Sequence, residues 1–299
     1  MKYTLLSKLR SGQDGAVYGD TLFRFNAKGM GFAYSLQEAL NPKSLEEILD
    51  YTEFSLDKAE LVCPHCNAVF FGKETFDPKD EFPLLYANVY NNYSKEEDRR
   101  IGQICVYRLF RSRNGFSTTL VQIIEIGFTE DTSLWCSYEK TEEKRDVRPY
   151  GNFLADPDKG ILYAFVMRDK NNSTRYFSFK MPSFREGERD PVLGVPRLIL
   201  KKEDILDQFD TPYHKYMQGG TFHGGLIYST EGFGEKETSR SAIRIIDPAK
   251  KCQVAEFDLC DAGISNEPEW MDFCGEKCLY SNATGNVYEM DFELKGDLI

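Results

Sequence analysis

The sequence predicts an all-β chain folded as one five-bladed β-propeller closed by its own N-terminal strand. Three observations predict it: a five-fold recurrence of one short apolar motif, a preceding strand of small and polar residues in every unit, and a surplus strand at the opposite end of the chain from a missing one. Repeats are sought first because a period overlooked misassigns the whole fold.

The recurrent motif is an apolar pair ending in an aromatic and followed by polar or small residues. It occurs as Leu22-Phe23-Arg24-Phe25-Asn26, Leu84-Leu85-Tyr86-Ala87-Asn88, Ile161-Leu162-Tyr163-Ala164-Phe165, Leu226-Ile227-Tyr228-Ser229-Thr230 and Cys278-Leu279-Tyr280-Ser281-Asn282. The aromatic falls at 23, 86, 163, 228 and 280. Before each lies a run that starts small or polar and turns apolar, at residues 13–18, 65–70, 150–154, 218–222 and 267–271, as expected for strands converging on a crowded axis.

A third strand is expected at 31–36, 103–110, 175–181, 242–246 and 286–292, where several segments alternate with the period of a half-buried strand. A fourth is expected at 51–56, 120–126, 197–200 and 254–259. The fifth unit runs out of chain before its fourth strand, while residues 2–9 form an unassigned apolar strand. Pairing 2–9 beside 286–292 completes the last blade and removes a pair of vulnerable edges. The blades then span about 11–60, 61–130, 146–202, 215–261 and 265–294 plus 2–9. A two-sheet sandwich is the alternative architecture.

Two stretches between strands read as short helices: residues 42–49, with Ser44 as N-cap and Glu47 three positions on, and residues 200–209. Insertions are expected at 72–82 and at the charged loop 91–100.

Composition restricts function. The 299 residues carry 37 Lys and Arg against 48 Asp and Glu, a net charge of −11, which opposes binding to nucleic acid or an anionic membrane. The N-terminal apolar run is too short for a signal peptide, and no stretch reaches transmembrane length; a cytoplasmic location with reduced cysteines is expected, and no cofactor is implied. The Cys63-Pro64-His65-Cys66 and Cys274-Cys278 pairs are expected on opposite faces, so they do not combine into a zinc site. His223, beside two glycines, reads as a packed histidine.

The five-unit pattern with terminal closure resembles the five-bladed β-propeller class, which includes sugar-binding lectins and furanosidase-type glycoside hydrolases. The resemblance spans the chain but rests on architecture. A furanosidase-type site would place an acidic residue at each of the first three blade entries; here the second and third carry Asn67 and Asn152.

In such a ring the entries to the innermost strands and the turns between second and third strands share one face. The entries collect Gln13, Asp14, His65, Asn67, Arg148, Tyr150, Asn152, Gln218, Glu267, Glu269 and Trp270; the turns add Asn26, Asn88, Tyr90, Asn91, Arg168, Asp169, Glu231 and Asn282. Donors, acceptors and aromatic planes in this mixture suit a small polar, carbohydrate-like ligand, with Trp270, Tyr150 or Tyr90 offering ring faces. Asp14, Glu231 and Glu269 are the carboxylates from which a glycoside-processing pair would be drawn. A protein-interaction platform using 91–100 is the third reading.

Overall fold

The computed structural model describes residues 1–89, 102–127, 148–167, 173–212 and 216–293, with the backbone alone at 148–152 and 166–167. Five sheets form five blades. After β1 (Lys2–Lys8), the first blade is β2 (Gly15–Tyr18), β3 (Thr21–Phe25), β4 (Met30–Ser35) and β5 (Thr52–Ser55), and the second begins β6 (Val69–Phe71), β7 (Leu85–Val89), β8 (Gln103–Ser112) and β9 (Gly115–Ile126). Next come β10 (Arg148–Asp156), β11 (Ile161–Met167), β12 (Thr174–Lys180), β13 (Glu188–Arg189), β14 (Pro196–Leu200) and β15 (Ile205–Thr211). The last two blades are β16 (Met217–His223), β17 (Leu226–Glu231), β18 (Ala242–Asp247) and β19 (Cys252–Asp258), then β20 (Pro268–Cys274), β21 (Lys277–Asn282) and β22 (Asn286–Asp291).

The innermost strands β2, β6, β10, β16 and β20 touch in a closed cycle, each packed on the next and β20 back on β2. The ring is locked where expected: β1 lies antiparallel to β22, with Lys2 opposite Asp291 and Lys8 opposite Asn286. The Leu9 amide then donates to the Gly285 carbonyl at 2.8 Å.

Each blade buries one face against its successor, so the core is five separate layers. Phe23, Phe25 and Phe54 pack on Leu85 and Tyr107 between blades one and two; Tyr86 and Ile124 meet Phe153 and Phe177 between two and three. Tyr163 and Tyr176 meet Ile227 and Ile246, Tyr228 and Ile243 meet Met271 and Tyr280, and Trp270 and Leu279 meet Leu22 and Phe32. No blade could bury both faces alone, which is why the repeat must close on itself.

The fifth repeat of the motif is out of phase with the other four. Phe23, Tyr86, Tyr163 and Tyr228 point forward, toward the next blade, whereas Tyr280 points back into the layer shared with blade four. Leu279 takes the forward position. A one-residue offset reverses the face of every side chain on a strand, so the aromatic at 280 matches the pattern in spelling but not in direction.

Three expected elements are corrected. Residues 197–200 are not the fourth strand of blade three: β14 runs parallel to β9, Arg197 opposite Ile123 and Leu200 opposite Ile126, and with β13 extends blade two to six strands. The fourth strand of blade three is β15, paired with β12, where a helix was expected. Only Lys202–Asp204 forms a helical turn; Phe209 and Thr211 are buried while Gln208 and Asp210 are exposed, a two-residue period, and the Phe209 ring stacks on Tyr176 at 5.1 Å. Residues 42–49 form no helix either. Ser44 Oγ accepts from the amides of Glu46 and Glu47, but the segment continues as a run of bends that ends in a single parallel bridge of Ile48 to Lys8, where the Leu49 amide donates to the Lys8 carbonyl. The helix in this region is α1 (Leu36–Leu40), capped by Ser35; a second, α2 (Ala59–Val62), precedes the entry to blade two.

Candidate functional site

The entry ends of the inner strands and the ends of the second strands stand opposite each other: Gly15 faces Arg24, Val69 faces Ala87, Met217 faces Glu231 and Pro268 faces Asn282. Several second-strand side chains are used to hold the entering chain. Arg24 Nη2 donates to the Gly12 carbonyl at 2.9 Å. Asn88 Oδ1 accepts from the Ala68 amide, and Thr230 Oγ1 bonds both the amide and the carbonyl of Gly219.

Asp14 lies among the inner strands of blades one, two and four. It is fully buried, and its Oδ2 accepts from the Val69 amide of blade two at 2.8 Å. On the blade-four side the chain passes so close that a Cβ on Gly219 would stand 3.1 Å from Asp14 Oδ1 and 3.1 Å from the Glu269 carbonyl. A Cβ at 219 would require Asp14 and the Glu269 carbonyl to give by a few tenths of an ångström, and both belong to the packed inner strands. Arg24, also fully buried, lies with its guanidinium 5.5 Å over the Trp270 ring.

Above this core the mouth carries two amide–carboxylate pairs. Gln13 Nε2 donates to Glu269 Oε1 at 3.3 Å, and Gln218 Nε2 donates to Glu267 Oε1 at 2.8 Å. Below it, Asp272 ties three blades together: Oδ2 accepts from the Val17 amide at 2.7 Å, and Oδ1 accepts from Thr221 Oγ1 at 3.1 Å.

Burial controls the charges. It raises the Asp14 carboxyl well above the ordinary range, against opposing bonds from the Val69 and Gly15 amides. Burial, then Glu267, pushes Glu269 up to about 8, with Arg24 and Gln13 opposing; burial raises Glu267 as well and Asp272 to about 6. Arg24 itself is lowered by burial and held up mainly by Glu269 and Asp14. One guanidinium balances one of these two carboxylates, so the other keeps its proton near neutrality. Asp14 Oδ1, Glu269 Oε2 and Arg24 Nε and Nη1 are buried with no hydrogen-bond partner among the described residues.

The expected site residues separate into groups. Gln13, Asp14, Gln218, Glu267 and Glu269 are brought together. Glu231 is not: its Oε1 accepts from Arg244 Nη2 at 2.9 Å in a buried pair beside Tyr176, between blades three and four. The trio Asp14, Glu231 and Glu269 therefore does not share one site. Trp270 is fully buried and presents no face to a ligand. Asn26 closes a turn through the amides of Lys28 and Met30, and Asn282 closes another through Thr284. Asn67 Oδ1 accepts from Asn88 Nδ2 at 2.5 Å, within the buried entry to blade two. His65 lies there too, its imidazole lowered to about 4 by burial and so neutral at pH 7. His223 stacks on Phe273 at 3.9 Å. Arg148, Tyr150 and Asn152 are placed by backbone on β10. Tyr90, Asn91 with the rest of 91–100, Arg168 and Asp169 lie outside the described residues.

Four contributors were absent from the expected set. Arg24 and Asp272 were hidden inside apolar strands, with no sequence signal of their depth. The other two, Tyr216 and Phe233, form an exposed aromatic pair on the blade-four rim, ring centroids 4.7 Å apart. Tyr216 has φ +49°, a left-handed backbone that costs a non-glycine residue on the order of 1–3 kcal/mol. The Gly232 amide donates to the Tyr216 carbonyl at 3.0 Å, and Gln218 Nε2 reaches the Gly232 carbonyl at 3.4 Å. The aromatic pair is thereby joined to the Gln218–Glu267 pair.

Among the described residues no group of three or more His, Cys, Asp and Glu side chains is placed to hold a metal ion, and no helix is long and apolar enough to cross a membrane. The ring of five four-stranded or larger sheets makes the chain a five-bladed β-propeller. No family model and no curated sequence matches it. Among solved structures, a glutaminyl cyclase from Myxococcus xanthus has a TM-score of 0.47 at 10% identity, covering 97% of this chain and 93% of that one. Hydrazine synthase from Kuenenia stuttgartiensis gives 0.41 at 12%, covering 89% and 60%, and BamB from Moraxella catarrhalis gives 0.35 at 10%, covering 95% and 58%. The chain thus spans less than two thirds of the latter two.

Proposed function

We propose that this propeller binds a small polar, carbohydrate-like ligand at the channel mouth between blades four, five and one. The observation that carries the reading is the exposed Tyr216–Phe233 pair, tied through the Gly232 backbone to the Gln218–Glu267 pair. Aromatic faces take up the apolar side of a sugar ring, while amides and carboxylates bond its hydroxyls. These rim aromatics replace Trp270 as the stacking platform.

Glycoside processing is the weaker reading. It needs two carboxyl groups facing each other across a substrate, whereas Glu267 and Glu269 stand two residues apart at the start of one strand, and Asp14 is sealed beneath them.

The test is calorimetric titration of the intact chain with a panel of neutral and charged monosaccharides, alongside Tyr216→Ala and Gln218→Ala. Millimolar or tighter binding by at least one sugar, weakened about tenfold or more by either substitution, is expected. Sugar binding that neither substitution alters would place the ligand elsewhere.

A further inference from the structure

The mouth carries acidic and aromatic side chains besides its two amides. Glu267 is half-buried with one oxygen held by Gln218. Glu235, exposed on the blade-four rim two residues after Phe233, accepts from Ser265 Oγ at 2.8 Å, two residues before Glu267. Glu269 lies just inside, with Oε2 buried and unpartnered among the described residues. Guanidinium groups nearby are already matched: Arg240 pairs with Asp258 and Asp261, Arg244 with Glu231 and Glu256, and Arg24 is sealed against Asp14 and Glu269.

We infer that the mouth is a receptor for a cationic ligand, a small polyol or sugar carrying an ammonium group, which seats between the Tyr216–Phe233 rings and the Glu267–Glu269 carboxyls. This rests on the proposed ligand-binding role of the mouth and narrows it to a chemical class. The physical reasons are two. An ammonium over an aromatic face gains about 0.5–2 kcal/mol from the ring quadrupole. It also places a positive charge beside the half-buried Glu267 carboxyl and the exposed Glu235, which a neutral hydroxyl does not. A neutral sugar of the same shape meets the same rings and amides without these gains.

Glucosamine, glucose and N-acetylglucosamine make the test, because they share one ring and differ in charge at a single position. Each is titrated calorimetrically into the intact chain at pH ~6, where the free amine is protonated. Glucosamine is expected to bind about tenfold or more tighter than the other two, a gap of about 1.4 kcal/mol. Glu267→Gln, at a half-buried position whose amide neighbour remains, is expected to erase the glucosamine preference, so that glucosamine and glucose bind this variant with equal affinity. Tyr216→Ala is expected to weaken all three, with far-UV circular dichroism confirming an intact fold. Equal affinity for the three sugars, or a glucosamine preference that survives Glu267→Gln, overturns the cationic assignment but leaves the mouth a sugar site. Binding of none of them in the millimolar range removes both readings.

Discussion

Glu269 shows how far a residue's role depends on depth. Two positions earlier, Glu267 is half in solvent; Glu269, at 4% exposure, holds its proton up to about pH 8. Its native carboxyl binds a proton more tightly than the unfolded one, whose ordinary value is 4.5. By linkage, its contribution to stability is complete below about pH 4.5 and is lost as pH rises to about 8. Glu269→Gln keeps a neutral group of the same shape. Thermal unfolding at pH 5, 7 and 9 should therefore show the wild type losing melting temperature relative to Glu269→Gln as pH increases. A constant difference across the three values would mean that the carboxyl is ionised throughout.

At the scale of elements, closure depends on β1. Without it β22 becomes an open edge, and the layer that holds Trp270, Leu279 and Val287 against Leu22 and Phe32 loses Leu9. Deleting residues 1–9 is expected to abolish the cooperative melting transition or lower it by more than about 10 °C, since the buried Leu9, worth about 1.5–3 kcal/mol, and the partly buried Met1, Leu5 and Leu6 leave the core together with the β1–β22 pairing. A synthetic peptide of residues 1–9 added in trans should restore part of the transition. An unchanged melting curve would show that β22 needs no partner. The strand was readable from arithmetic alone, one strand too few at one end and one too many at the other. The fourth strand of blade three was not, because its charge-rich lead-in, Lys201 to Asp204, imitates a helix start, and only the Phe209–Tyr176 stack and the pairing with β12 make it a strand.

Over the whole molecule, blades two and three are stapled together by the chain between β12 and β15. Arg197 fastens this strap, donating to Asp190 at 2.8 Å and to Glu125 of β9 at 2.7 Å, and Gln122 Nε2 donates to the carbonyls of Ser183 and Glu186. The strap adds Leu193 and Val195 to the layer between blades one and two, and Phe184 and Leu200 to the layer between blades two and three, and none of its side chains belongs to the other three layers. Arg197→Ala is expected to raise amide hydrogen exchange at 187–200 while leaving protection in β2, β16 and β20 as it was. Loss of protection around the entire ring would instead make the strap part of the closing core.

The sequence by itself determined the number of blades, their order and the closing strand, because burying a sheet on both faces imposes a periodic pattern that survives in the spelling of each unit. It also brought the entry residues Gln13, Asp14, Gln218, Glu267 and Glu269 to one end of the inner strands, since strand order dictates which loop ends meet. Depth and direction were decided only by tertiary structure. Tyr280 keeps the motif yet faces backward, Trp270 is sealed under Arg24 instead of lining the mouth, and Glu231 is drawn to Arg244. A polar residue at a strand end has the same spelling whether it meets a ligand, closes a turn as Asn26 does, or carries a buried charge as Arg24 does. The neighbours that decide among these come from blades far away in the chain.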